Sequence, residues 1–177
     1  MIKNNHLFKP LEGKYVNLRE VRLSDAPFIL SLRCDKKKSK YLHKTENNLQ
    51  NQIVYLEKYF SLDNEWYFII ENKKKLPLGT SRIYGINGRQ YTGGSWLMKD
   101  GCLPEETLEG ALLARFMAFE VLGFEKDCFD VRKDNKKVVR FHLLCGAKIV
   151  SENNDDYFFE ITREVYNKNK QFFWDTL

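Results

Sequence analysis

The stretch from Trp96 to Gly146 constrains the fold more than any other part of the chain. It opens on an apolar strand end, Ser95-Trp96-Leu97-Met98, and turns at Lys99-Asp100-Gly101. A helix is expected from about Pro104 to Leu122, then a strand at Asp127–Arg132 and a second helical run from Asn135 to His142, closing at Cys145-Gly146-Ala147. The order is strand, helix, strand, helix. Leu108, Leu112, Phe116 and Phe119, with apolar neighbours between them, leave the first helix only a narrow polar strip, so it should be largely buried. The loop before it presents free backbone N–H groups at a helix N-terminus, where an anionic ligand binds well.

The flanking sequence supplies the remaining elements. Lys14 to Glu20 alternates and predicts a strand, and Ser24 is placed to cap a short helix that buries Phe28, Ile29 and Leu32. The Lys36-Lys37-Lys38 run reads as a solvated loop or as a contact to a phosphorylated substrate. Asn47 or Asn48 caps the next helix, on which Leu49, Ile53, Leu56 and Phe60 make an apolar stripe. Strands are expected at Trp66–Ile70, Leu78–Ile86 and Gln90–Met98, with Asn87-Gly88 as a hairpin turn. Gly93-Gly94 inside the last of these points to a bulge, a close backbone approach or a loose strand end. Strands at Lys148–Ser151 and Tyr157–Thr162 follow. The aromatic tail, with Phe172, Phe173 and Trp174, packs down or joins a homodimer contact.

A chain of 177 residues with 43% hydrophobic and 14% aromatic residues predicts one packed domain, 1–177, rather than a disordered segment. No apolar run approaches the roughly 20 residues that a membrane span needs, and Met1-Ile-Lys-Asn-Asn-His has no apolar core of the signal-peptide kind. The cysteines at 34, 102, 128 and 145 show no paired spacing and are expected as free thiols in a reducing cytoplasm. A net charge of +5 suits an anionic small ligand and does not argue for nucleic acid. Histidines at 6, 43 and 142 form no i, i+4 pair, so no metal is expected. The phosphate-loop, nucleophile-elbow and dinucleotide glycine motifs are absent from the sequence.

The run Asn135-Lys-Lys-Val-Val-Arg-Phe-His142-Leu-Leu-Cys-Gly146-Ala-Lys resembles the Asn-x-x-Ala-x-x-Phe-Tyr-x-x-x-Gly-Phe segment of the GNAT superfamily of N-acetyltransferases. The preceding helix and strand match in order and spacing, and Leu18-Arg19-Glu20 with Ser24-Asp25 is similar to the family's opening, so the resemblance covers about residues 12 to 166. Gly79-Thr-Ser-Arg82-Ile-Tyr84 followed by Gly94-Ser-Trp96-Leu97 looks most like the bacterial branch that acetylates nucleotide-linked amino sugars for surface polysaccharide or glycan synthesis. The resemblance implies an α/β (α+β) fold. Its sheet is mixed, mostly antiparallel and twisted, with helices on both faces and a V-shaped cleft between the fourth and fifth strands. It implies transfer of acetyl from acetyl-CoA, without a metal, to a primary amine by direct attack in a ternary complex. A protein N-terminal amine is the alternative acceptor, and a non-catalytic acyl-CoA-binding protein the alternative class.

Carried over position by position, the resemblance places the pantetheine arm against Leu97 and Met98. The pyrophosphate falls on Glu106, Thr107, Leu108, Glu109, Gly110 and Ala111. Here the sequence departs from the family's glycine-rich pattern, with a single glycine, Gly110, and three acidic residues across 105 to 109. Asn135 stands where the family holds the pantetheine region, or simply caps a helix; Phe141 falls beside it, and Lys136 and Lys137 reach the cofactor phosphates or are surface lysines. His142 occupies the place of a tyrosine that protonates the departing thiolate, and a histidine could instead accept a proton from the ammonium. Arg33, His43, Arg82 and Tyr84 are the candidates for acceptor binding, and Glu65 and Glu71 are guesses for a base.

Overall fold

The computed structural model describes residues 9–41 and 45–177. Among these residues the backbone forms eight strands in one sheet: β1 (Leu11–Glu12), β2 (Val16–Glu20), β3 (Trp66–Asn72), β4 (Pro77–Asn87), β5 (Gln90–Met98), β6 (Lys126–Arg132), β7 (Lys148–Glu152) and β8 (Asp156–Thr162). Their spatial order is β1-β2-β3-β4-β5-β6-β8-β7, and every neighbouring pair is antiparallel except β5 and β6. The helices are α1 (Ala26–Cys34), α2 (Leu49–Phe60), α3 (Pro104–Phe116), α4 (Lys136–Leu144) and α5 (Arg163–Asp175). The mixed, mostly antiparallel sheet is the one the resemblance implies, with β5 and β6 as its fourth and fifth strands once the two-residue β1 is set aside. Among the described residues no helix is long and apolar enough to cross a membrane.

Alternation along β3 explains why both faces are covered. Tyr67 and Ile69 face one cluster, with Val21, Ala26, Ile29, Leu56 and Tyr59 from the α1–α2 side. Phe68 and Ile70 face the other, with Leu113, Met117 and Phe159 on the α3 side. A period of two with both sets apolar is the signature of a strand buried on both faces.

Several local expectations are corrected. Ser24 does not cap α1. The Asp25 carboxylate instead accepts from the Arg22 N–H at 2.7 Å and from the Arg19 guanidinium at 2.8 Å, and α1 starts one residue later. On α2, Asn48 is the cap, accepting from the Asn51 N–H at 3.1 Å. The buried face is Gln52, Leu56 and Tyr59, whereas Leu49 and Phe60 are exposed. Tyr59 wins the inner position because its hydroxyl donates to Glu20 and accepts from the Tyr67 N–H. The hairpin turns at Gly88-Arg89, with Asn87 still paired to Gln90. The helix expected to Leu122 does reach it, but its last turn, Met117–Val121, is wound as a π-helix. The Arg163 guanidinium donates to the Phe119 carbonyl of this turn and to the Phe124 carbonyl just beyond it. The tail is a helix, α5, which stacks Tyr166 on Phe119 at 4.7 Å between ring centroids.

Candidate active site

The site exists because β5 and β6 pair for only two residues. Gln90 lies opposite Lys126 and Tyr91 opposite Asp127; beyond that point the strands part. Two features force the parting. The register of β5 against β4 slips between Thr80 and Arg82, and Ser95 takes a φ of +50°, a bulge held by the Thr80 hydroxyl donating to the Ser95 carbonyl at 2.7 Å. Gly93 and Gly94 are also in close approach. A Cβ at Gly93 would stand 2.9 Å from the Asp127 carboxylate, and one at Gly94 would stand 2.8 Å from the Tyr84 ring. The glycine pair thus marks both a bulge and tight packing. The Gly93 N–H, left without a strand partner, donates to Asp127 Oδ1 at 2.8 Å.

The opening is a cleft of about 400 Å³. Leu97 and Met98 line it from β5, Phe129 and Val131 from β6, and Ala111 and Arg115 from α3; Asn135, Phe141 and His142 close it from the α4 side. Past the branch point β5 offers an unpaired strand edge, which suits an extended amide chain. That donor set and shape fit the pantetheine arm of acetyl-CoA. Asn135 makes no side-chain cap to α4. Lys137 is exposed and does not line the cleft.

The α3 N-terminus differs from its expected role. Glu106 Oε2 accepts from the Leu103 N–H at 2.9 Å, so it caps its own helix. Glu109 is no cofactor contact: it is 2% exposed and accepts from the N–H groups of Lys14, Tyr15 and Val16, each at 2.7 Å. Gly110 faces Ile70 rather than the cleft. Thr107 and Leu108 are half-buried and do not line it either. Two of the three carboxylates that would have opposed a pyrophosphate are therefore engaged within the protein.

The cleft floor carries the titratable groups. His142 packs against Phe129, with ring centroids 4.4 Å apart, and its Nδ1 lies 2.8 Å from Arg115 Nη2. Burial, then the Arg115 charge, push its pKa down to about 3. Asp127 has its carboxyl pushed up to about 6, chiefly by burial; the Arg115 charge, the Gly93 N–H and the Tyr91 hydroxyl pull it back. Sequence reading missed Arg115 and Asp127. A signal for Arg115 was present: it sits three residues after Leu112 and four before Phe119, on the apolar face.

On the other side of the strands, a polar cavity of about 280 Å³ is lined by Arg33, Gln52, Tyr55, Tyr67 and Arg82. Arg82 lines both cavities and joins them. It pairs with Glu65 at 2.5 Å and lies over the rings of Tyr55, Tyr67 and Tyr84. Arg33 donates to Thr45 Oγ1 at 2.9 Å and has no carboxylate partner among the described residues. Gln52 is 6% exposed and its amide nitrogen has no partner among the described residues. His43 lies outside the described residues. Glu71 is not available as a base: it is buried in an ion pair with Arg19 at 2.7 Å. Among the described residues no cluster of three or more His, Cys, Asp or Glu could hold a metal ion.

Solved structures are similar to this chain. The apo structure of FdhC, a nucleotide-linked sugar GNAT, is 31% identical, covers 93% of this chain and 96% of its own, and has a TM-score of 0.85. The spermidine N-acetyltransferase of Vibrio cholerae, solved with CoA and spermine, is 18% identical over 88% of this chain and 99% of its own, with a TM-score of 0.80. A GCN5-related N-acetyltransferase from Brucella melitensis is 17% identical over 93% of this chain and 83% of its own, with a TM-score of 0.76. These last two share the fold alone. No protein-family model and no curated protein matches the sequence. The parted strands and the FdhC likeness over nearly the whole chain together make this protein a member of the GNAT superfamily, an acetyl-CoA-dependent N-acetyltransferase.

Proposed function

We propose that the protein acetylates a primary amine on a nucleotide-linked amino sugar, in the cytoplasm, for surface polysaccharide or glycan synthesis. The observation that carries this is the 31% identity to a nucleotide-linked sugar GNAT across nearly the full length of both chains. The second cavity agrees with it. It holds the guanidinium groups of Arg33 and Arg82, and Arg33 has no ion-pair partner among the described residues. Glu46 stands exposed at the rim, where solvent screens it. Such a pocket suits a diphosphate better than a polyamine cation.

In this reading acetyl-CoA supplies an activated thioester, and the chain's residues place it. The β5 edge at Leu97 and Met98, with Asn135 and Phe141, holds the pantetheine amides. The start of α3, where the Thr107 N–H is already given to the Leu103 carbonyl and those of Glu105 and Glu106 precede the first helical hydrogen bond, receives the pyrophosphate, with the exposed Lys137 near it. Arg33, Arg82 and Tyr84 orient the sugar nucleotide so that its amine reaches the thioester carbonyl directly. His142 meets the departing sulfur.

The test is free-thiol release from acetyl-CoA with a panel of uridine- and thymidine-diphosphate amino sugars, beside spermidine and a peptide with a free N-terminus. An amino-sugar nucleotide is expected to give the highest kcat/KM. Faster turnover of spermidine or the peptide overturns the acceptor.

A further inference from the structure

The place of His142 in the cleft leaves it only one chemical role. Its ring is enclosed by Phe129, Phe141, Trp96 and Phe159, with centroids 4.4, 5.4, 6.5 and 5.9 Å away. Arg115, 8% exposed, brings Nη2 to 2.8 Å from Nδ1. A guanidinium only donates, so Nδ1 must present its lone pair, and the ring's single proton sits on Nε2. Nδ1 is therefore taken and Nε2 is already protonated, so the ring cannot act as a base toward the amine. Burial and the adjacent cation also keep it from becoming an imidazolium, so it cannot act as a strong acid. What it can do is donate a hydrogen bond from Nε2, with a fixed positive charge behind it.

We propose that Arg115 is a positioning residue for acetyl transfer: it locks His142 as the Nε2–H tautomer, and together they hold the leaving thiolate by a hydrogen bond backed by the guanidinium charge. This rests on the cleft being the acetyl-CoA site. In the step, the amine lone pair forms the N–C bond, and the C–S bond breaks with its electron pair on sulfur. The amine proton goes to solvent. The thiolate leaves as an anion and takes its proton from water, and His142 ends as it began. A thiol with an ordinary pKa of about 8.5 needs only modest help to depart this way. Around the pair stand Tyr91 of β5, Asp127 of β6 and Cys145, just past α4, all of which act on Arg115. Asp127 is a counter-charge for the guanidinium and so lets it remain buried.

The test combines a spectrum with kinetics. Full-length protein labelled with 15N-histidine is titrated in the presence of CoA, with His142→Asn used for assignment. His142 is expected to show the Nε2–H tautomer and to stay neutral down to about pH 5. In Arg115→Met the ring should titrate at higher pH and populate both tautomers. Its kcat should fall about tenfold or more while KM for acetyl-CoA changes little, and Arg115→Lys should recover part of the loss. A native His142 with its proton on Nδ1, or titrating between about pH 6 and 7, overturns the proposal; so does unchanged kcat in Arg115→Met. Should Arg115→Met not fold, the native spectrum decides. The spectrum needs no acceptor. If it has the expected form while no amino-sugar nucleotide is turned over, the acceptor reading falls and the Arg115–His142 pair stands.

Discussion

Glu109 and Arg115 lie less than two turns apart on α3, and both are charged side chains taken almost wholly out of water, 2% and 8% exposed. Their partners differ in kind. Glu109 is satisfied by three backbone N–H groups in the β1–β2 turn and at the first residue of β2, groups with no protonation state to change. Arg115 is satisfied by an imidazole and faces a carboxyl, both of which titrate. A buried ion closed off by backbone fastens elements together; a buried ion facing other titratable side chains sets their protonation. One helix does both, and the change of role comes where its face passes from the β1–β2 turn to the open strands.

Removing Glu109 tests the first half of that contrast and should have the largest effect. Glu109→Ala leaves three backbone donors without acceptors and should lower unfolding free energy by about 3–5 kcal/mol. Urea denaturation measures this. Acetyl-CoA affinity of the folded fraction should be unchanged. Intact stability with lost acetyl-CoA binding would return Glu109 to the cofactor site and erase the contrast.

Asp127→Asn probes the second half through pH. The folded carboxyl is raised to about 6 from 3.8, so it favours the folded state fully below pH 3.8 and loses that contribution as pH rises through about 6. Relative to the native protein, the asparagine variant should therefore gain stability on going from pH 4 to pH 8, by on the order of 3 kcal/mol. Denaturant midpoints across that range check it. A difference that is flat with pH would mean Asp127 is no more perturbed than a surface carboxylate, and Arg115 would lose its titrating neighbour.

The sequence already told much of this. The α3–β6–α4 order, the glycine bulge and the Asn48 cap follow from local patterns, because each depends on residues a few positions apart. The assignments that failed turned on side-chain partners, some close in the chain and some far. Ser24 reads as a cap until Arg19 and Arg22 are seen to hold Asp25. Glu109 reads as a phosphate-loop residue until the chain 93 to 95 positions earlier is laid against it. Arg115 meets His142 across 27 residues and Gly93 meets Asp127 across 34, contacts that only the register of the parted strands creates. His142, which lines the cleft, stood out in the sequence, but its protonation state did not, since that is set by burial and by Arg115.

The shape of the cleft can be altered without touching either charged residue. Gly94→Ala places a Cβ 2.8 Å from the Tyr84 ring, packed tightly enough that the strand or the ring must shift. Overpacking of this kind costs about 1–3 kcal/mol. Because Gly94 lines the larger cleft and the Tyr84 ring supports Arg82, which lines both cavities, KM for both substrates should rise. A rise for acetyl-CoA alone would separate Tyr84 from the acceptor.

The smallest effect expected is at Thr80, whose hydroxyl donates to the Ser95 carbonyl at 2.7 Å and meets the Tyr67 side chain rather than His142 or Arg115. Thr80→Val keeps the shape and deletes the hydrogen bond, which should cost about 1 kcal/mol. Ser95 sits at a φ of +50°, a conformation that a non-glycine residue keeps only when its surroundings hold it there. Losing the bond should let the bulge relax toward regular pairing with β6 and narrow the cleft. Acetyl-CoA affinity, measured by calorimetry, should therefore weaken several-fold, while the 15N spectrum of His142 stays as in the native protein, because Arg115 and α4 do not depend on the bulge. A spectrum that changed along with the affinity would show that the bulge and the Arg115–His142 pair form one unit, and the division of labour along α3 would then end at Glu109.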